Sequence, residues 1–220
     1  MPHSAVIFDC DGTLVDSETL SISILCDYAR EHGSDVDTAD AVRRYAGQDL
    51  QVVMDELAAT LTDPWPADAI DRFRGRQIPA LRAKLCPIPG AEALVRSIDV
   101  PKCVASNAPQ DKIRVCLEAT GLDRHFESNR IFSAYDVRRW KPDPTLFLTA
   151  AKELGVAPEF CVVVEDSRFG VEAGVRAGMR TFAFDPHGRL AEQCPELLGN
   201  PLVERVEALE ECGRVLGIDG

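Results

Sequence analysis

Five short apolar runs rich in β-branched residues, at 4–8, 102–105, 131–134, 161–165 and 180–184, alternate with helix-like segments near 90–98, 109–120, 143–154 and 169–177. No other feature limits the fold so strongly. A strand buried on both faces reads as a continuous apolar run, and a helix between strands is what a parallel crossover requires. The pattern predicts an α/β protein on an open, Rossmann-like parallel sheet.

One interval breaks the alternation. From about 17 to 86 the chain reads as helix throughout, in "LSISILCDYAREHG", "ADAVRRYAG", "LQVVMDELAATL" and "DAIDRFRGRQIPALRAKL". Apolar residues recur there every three or four positions, and Gly33 and Gly47 fall near segment ends. A crossover of that length is expected to be an inserted helical-bundle domain, 17–86, within an α/β core formed by 1–16 and 87–220. The junctions are "VDSE" at 15–18 and "CPIPG" at 86–90, where prolines and a glycine suit a hinge. A chain of 220 residues with 45% hydrophobic content has room for one such domain and its insert.

Charge and cysteine usage exclude several classes. A net charge of −12 argues against nucleic acid and anionic membranes, which demand basic patches. The eight cysteines are scattered without a CxxC pair or a Cys/His cluster, so buried thiols are expected rather than disulfides or zinc. No apolar run approaches the ~20 residues of a membrane span. The first strand starts near Ser4, which leaves no room for a leader, and a cytoplasmic protein is expected.

Open α/β sheets bind ligands beyond the carboxyl ends of their strands. The first run ends in Asp9-Cys10-Asp11-Gly12-Thr13 and the second in Ser106-Asn107. The third is followed by Trp140-Lys141-Pro142-Asp143, and the fourth ends in Glu165-Asp166-Ser167. Burying carboxylates at a strand end without partners costs several kcal/mol. Asp9, Asp11 and Asp166, with Glu165 nearby, would repel one another unless a hard divalent cation with oxygen ligands stood among them, which suits Mg²⁺. Lys141 adds a second positive charge, Ser106 and Asn107 can donate to phosphoryl oxygens, and Gly12 lets backbone N–H groups approach closely. Phosphoryl transfer needs mostly positioning and charge stabilisation, and this set supplies both. Of two aspartates one residue apart, one can attack phosphorus and the other can serve as acid and then as base.

"DCDGT", "SN" at 106–107, "KP" at 141–142 and "ED" at 165–166 resemble, in order and spacing, the four motifs of the haloacid dehalogenase (HAD) superfamily, across nearly the whole chain. The resemblance implies a HAD-like core with a helical cap that closes over a small substrate. It implies Asp9 as nucleophile and metal ligand, and Asp11 as acid/base and backbone-carbonyl ligand. Ser106, Asn107 and Lys141 would contact the phosphoryl group, and Asp166 would hold Mg²⁺, with Glu165 either a ligand or its support. Within the superfamily, dehalogenases lack an aspartate at the place of Asp11. Phosphonoacetaldehyde hydrolases need a cap lysine, and 17–83 contains none. β-Phosphoglucomutases carry a cap histidine and a cap arginine where Ser21 and Leu50 stand here. The implied activity is that of a monomeric phosphatase of small phosphorylated metabolites. "FSAYDVRRWKPDP" (132–144) resembles sugar-phosphate phosphatases, including those acting on 6-phosphogluconate. A phosphosugar mutase and a non-catalytic binding protein on the same fold are the alternatives.

Simpler readings stand beside these. Ser106 and Asn107 could cap the helix near 109, and Asp166 could be an N-cap. Asp16 is expected to cap the first cap helix and anchor the hinge. Gly170, Gly174 and Gly178 are expected to allow close helix–sheet packing. Arg43, Arg44, Gln48 and Arg76 could read substrate hydroxyls or a carboxylate, the simpler account being a solvated helix face.

Overall fold

A computed structural model of the chain describes residues 3–45, 48 and 50–216. Gly47 and residues 217–220 of the expected core domain lie outside the described residues. The chain divides into two compact units, Met1–Val15 with Cys86–Gly220, and Asp16–Leu85.

The larger unit is a six-stranded sheet of β1 (Ala5–Phe8), β2 (Lys102–Ser106), β3 (Ile131–Ser133), β4 (Cys161–Glu165), β5 (Arg180–Phe184) and β6 (Val203–Val206). The strand order is β3-β2-β1-β4-β5-β6, and every pairing is parallel. β1 is central and fully buried, with Val6 level with Lys102 on one side and Val162 on the other. The chain steps from β1 through β2 to β3, then crosses back to lay β4 against the other side of β1. Such a reversal opens a crevice at the carboxyl ends of β1 and β4.

Helices of this unit are α5 (Ala91–Ser97), α6 (Gln110–Thr120), α7 (Ala134–Val137), α8 (Thr145–Leu154), α9 (Arg168–Arg176), α10 (Arg189–Gln193), α11 (Pro195–Leu198) and α12 (Leu209–Val215). Alternation along the strands assigns the core residues to faces. Ala5, Ile7, Cys103, Ala105, Cys161 and Val163 pack with Leu146, Phe147, Ala150 and Ala151 of α8 and with Ala173 of α9. Phe8 points the other way and meets the edge of Phe126, with 6.2 Å between ring centroids. Seven of the eight thiols are buried in the two units and Cys86 is exposed.

The smaller unit contains helices of its own, here αa (Ser17–Glu31), αb (Thr38–Tyr45), αc (Leu50–Ala58) and αd (Ala69–Lys84). Ile22, Leu25, Cys26 and Ala29 form one stripe of αa and pack with Tyr45, Met54, Leu57 and Phe73. Trp65 Nε1 donates to the Met54 carbonyl at 3.0 Å. Gly33 takes φ +81° just past αa, a left-handed turn that a β-carbon would strain.

Two expectations are corrected and one simpler reading is set aside. Asp16 occupies the N-cap position of αa, but its side chain makes no capping bond; its φ −83° and ψ 61° depart from the extended geometry that aims a cap side chain at the helix. Ser106 and Asn107 do not cap α6, whose N-cap is Pro109. A β-carbon on Gly170 would strike the Glu165 carboxylate and one on Gly174 the Thr181 hydroxyl, so both serve close packing. Gly178 faces open space, and its φ of +72° makes it a turn residue instead.

β6 and the helices around it went unanticipated. Its sequence, Val-Glu-Arg-Val, puts two charges in four residues at a sheet edge, where apolar patterning is weak. A buried acid joins it to the rest. Asp185 accepts from Leu190 N and Ala191 N at 3.1 Å each and from Arg205 Nε at 2.9 Å. It thus starts α10 and pins β6. Asp185→Ala should lower unfolding free energy by about 2–4 kcal/mol, read from urea denaturation, because three donors lose their acceptor together.

Candidate active site

The crevice between the ends of β1 and β4 holds the carboxylates that the motifs contribute. β1 delivers Asp9 as its parallel ladder ends, with Asp9 N donating to the Val164 carbonyl at 3.0 Å. The chain then closes a compact loop. Gly12 N donates to Val15 O at 2.9 Å, and Leu14 N and Val15 N donate to Cys10 O at 2.9 and 3.1 Å. Gly12 turns the loop at φ +83°, and a β-carbon there would strike the Asp166 carboxylate. Only glycine satisfies both conditions.

Lys141 is the centre of the site. Its Nζ donates to Asp9 Oδ1 at 2.5 Å and to Glu165 Oε1 at 3.0 Å, and all three side chains are buried. The ammonium also lies 4.7 Å from the centroid of the Phe147 ring. Burial opposes the lysine's charge, but Asp9 and Glu165 more than offset it and raise its pKa. Burial pushes the Asp9 carboxyl up to about 8, against the pull of Lys141 and with help from Glu165.

The backbone around the lysine is set by the neighbouring strand. Asn107 Oδ1 accepts from Lys141 N at 2.9 Å, so Asn107 ties the end of β2 to the lysine segment. Ser106, 2% exposed, accepts from Ala108 N at 3.1 Å. The Lys141–Pro142 peptide is cis.

Glu165 is fully engaged. Its Oε1 faces Lys141, and its Oε2 accepts from Ser167 N and Ser167 Oγ at 2.8 Å each. Ser167, not Asp166, caps α9, accepting from Gly170 N. Asp166 Oδ1 accepts from Thr13 Oγ1 at 3.0 Å. Asp9, Glu165 and Asp166 each offer an oxygen, and these atoms lie within 4.8 Å of one another. An all-oxygen, anionic donor set fits a hard divalent ion.

Asp11 stands apart from that group. Its two carboxylate oxygens each lie 2.9 Å from Lys112 Nζ. Lys112 was missed in the sequence, although a lysine at the third position of α6 is a visible irregularity, since a helix N-terminus disfavours cations. With both lysines counted, the formal charges of Asp9, Asp11, Glu165 and Asp166 exceed the cationic ones by two.

The cations suggested in the smaller unit are occupied within it. Arg76 makes a two-pronged pair with Glu31 at 2.6 and 2.8 Å and stacks on Tyr28. Arg44 pairs with Glu56 at 2.6 Å, Arg43 pairs with Asp40, and Gln48 Nε2 donates to Arg44 O at 2.9 Å. These contacts favour the solvated-face account.

Residues 6–184 match the family described as haloacid dehalogenase-like hydrolase. The chain belongs to that family. It is 37% identical over 191 residues to the 6-phosphogluconate phosphatase of Escherichia coli K12, covering 84% of this chain and 85% of the relative. It is 32% identical over 186 residues to the phosphorylated carbohydrates phosphatase of Thermotoga maritima, covering 80% and 82%. A HAD family hydrolase of Deinococcus radiodurans R1, solved with bound phosphate and sodium, superposes with a TM-score of 0.81 at 29% identity, covering 99% and 97%. The HAD member described here is a phosphatase. Among its described residues no helix is long and apolar enough to cross a membrane.

Because Lys141 is paired on both sides in a buried setting, its removal leaves two carboxylates facing each other. Lys141→Met should lower unfolding free energy by about 3–5 kcal/mol in metal-free urea titrations, the range for breaking a buried ion pair from one side.

Proposed function

We propose that this phosphatase hydrolyses a small sugar phosphate or sugar-acid phosphate, 6-phosphogluconate among the first to test, through an aspartyl-phosphate on Asp9 with Mg²⁺ as cofactor. The observation that carries the reading is the buried Lys141 shared by Asp9 and Glu165 beside Asp166. That arrangement supports a reading in which an attacking carboxylate, a fixed cation and a metal-holding acid share one strand-end crevice. The two phosphatase relatives, named for phosphorylated sugar compounds, support the substrate class.

Asp9 attacks phosphorus, and the leaving oxygen departs with a proton from Asp11. Lys141 and the Ser106 hydroxyl hold the transferring oxygens, while Asn107 holds Lys141 in place through its backbone. Asp9, Asp166 and the Asp11 carbonyl would hold Mg²⁺, which when bound supplies positive charge for the phosphoryl oxygens. Glu165, with both oxygens committed to Lys141 and Ser167, supports the lysine more than the ion. Asp11 then takes the proton of the water that releases phosphate.

A screen of phosphorylated metabolites for phosphate release tests this reading. Activity should require Mg²⁺, vanish in EDTA and return poorly with Ca²⁺, whose looser shell misplaces the nucleophile. Asp9→Asn should lose at least about a thousandfold in kcat while keeping its circular dichroism spectrum, because an amide cannot attack as a carboxylate does. Full turnover after exhaustive metal removal, or an Asp9→Asn enzyme within tenfold of wild type, would reject it.

Water is the proposed phosphoryl acceptor rather than a second sugar hydroxyl. A mutase must grip a non-reacting phosphate, and an unpaired dianion in a dry site costs several kcal/mol. Ser21 instead donates to Ser17 O at 2.6 Å and accepts from Gln77 Nε2 at 2.7 Å, and the apolar Leu50 carries no charge. ³¹P NMR should show steady phosphate release from glucose 6-phosphate and β-glucose 1-phosphate with little interconversion. Fast isomerisation with slow release would reverse the assignment.

A further inference from the structure

Lys112 lies in the first turn of α6, where the helix dipole disfavours a cation. Its side chain is 20% exposed and that of Asp11 27%. The ammonium meets both Asp11 oxygens at 2.9 Å. A charge placed against its local preference and directed at both oxygens of one carboxylate has a positional purpose. Gripped in this way, the carboxylate is held in one orientation.

We propose that Lys112 is a positioning residue that holds Asp11 for the second half of the reaction, an inference that rests on Asp9 as nucleophile and Asp11 as base. In that half a water oxygen bonds to phosphorus while the phosphorus–oxygen bond to Asp9 breaks. The electron pair of the broken bond returns to the Asp9 carboxylate, and the water proton passes to Asp11. Inorganic phosphate departs, and the proton leaves Asp11 for solvent. With a leaving group that needs no proton, phosphoryl transfer to Asp9 depends on Lys141 and Ser106, which Lys112 does not touch. Losing Lys112 then slows hydrolysis of the phosphoenzyme selectively.

p-Nitrophenyl phosphate isolates this step, because its leaving group departs without a proton donor. In Lys112→Met, kcat should fall about 10- to 100-fold, part of what a positioned base contributes. KM should fall in parallel, so that kcat/KM stays within about threefold of wild type. Acid-quenched samples should carry covalent phosphate on most Lys112→Met molecules and on few wild-type ones. Lys112→Arg, which keeps a cation, should recover kcat and lose the accumulated phosphoenzyme. Lys112→Gln replaces the Met variant in every comparison should the latter not fold. An unchanged kcat, a kcat/KM that falls as far as kcat, or an Arg variant no better than Met overturns the proposal. A wild-type enzyme without Mg²⁺-dependent turnover instead overturns the functional reading beneath it.

Discussion

One ammonium group organises the site. Lys141 reaches from the segment after β3 to Asp9 at the end of β1 and Glu165 at the end of β4, and Asn107 at the end of β2 fixes its backbone. Four consecutive pieces of the sheet edge thereby meet at one buried charge. Without it, two carboxylates would face each other where water cannot screen them, and such burial is too costly to persist. The strand order makes the meeting possible, since β1 and β4 are neighbours only because the chain reverses after β3.

By formal charge the four acids outnumber the two lysines that face them. Lys141 is committed to Asp9 and Glu165, Lys112 to Asp11, and Asp166 takes a hydroxyl bond from Thr13. Burial pushes the Asp9 carboxyl up to about 8, against the pull of Lys141. A group of oxygen ligands in that condition favours a divalent ion and, through it, a phosphate. Gly12 and Gly170 permit the crowding, since a β-carbon on either would fall on the carboxylate of Asp166 or Glu165.

The parts legible in the sequence share a physical cause. Strands buried on both faces, such as Cys161–Glu165, print as unbroken apolar runs, and charged residues placed directly after them are conspicuous. Thus the parallel sheet and the gathering of Asp9, Lys141, Glu165 and Asp166 could be read before any coordinates. Lys112 could not be read in the same way, because its place in the first turn of α6 does not name a partner that lies 101 positions away. The role of Glu165 was open for a related reason: composition does not say that Ser167 occupies its second oxygen. β6 was hidden by its charges, and Asp16 misled because a favourable residue type does not guarantee cap geometry.

In the loop Asp9-Cys10-Asp11 one residue type meets two different surroundings. Alternation along an extended chain turns Cys10 away from both its neighbours, and Cys10 is wholly buried. Hydrogen bonding to Cys116, and then burial, push the Cys10 thiol well up, so it stays a neutral filler. Asp9 faces Lys141 and Glu165 in a nearly dry environment, whereas Asp11 faces Lys112 with part of its carboxylate exposed. A carboxylate held in a dry, charged cluster suits attack on phosphorus, and one with access to solvent suits handing a proton on. The two lysines, Lys141 beside Asp9 and Lys112 beside Asp11, are therefore what sets the two acids apart.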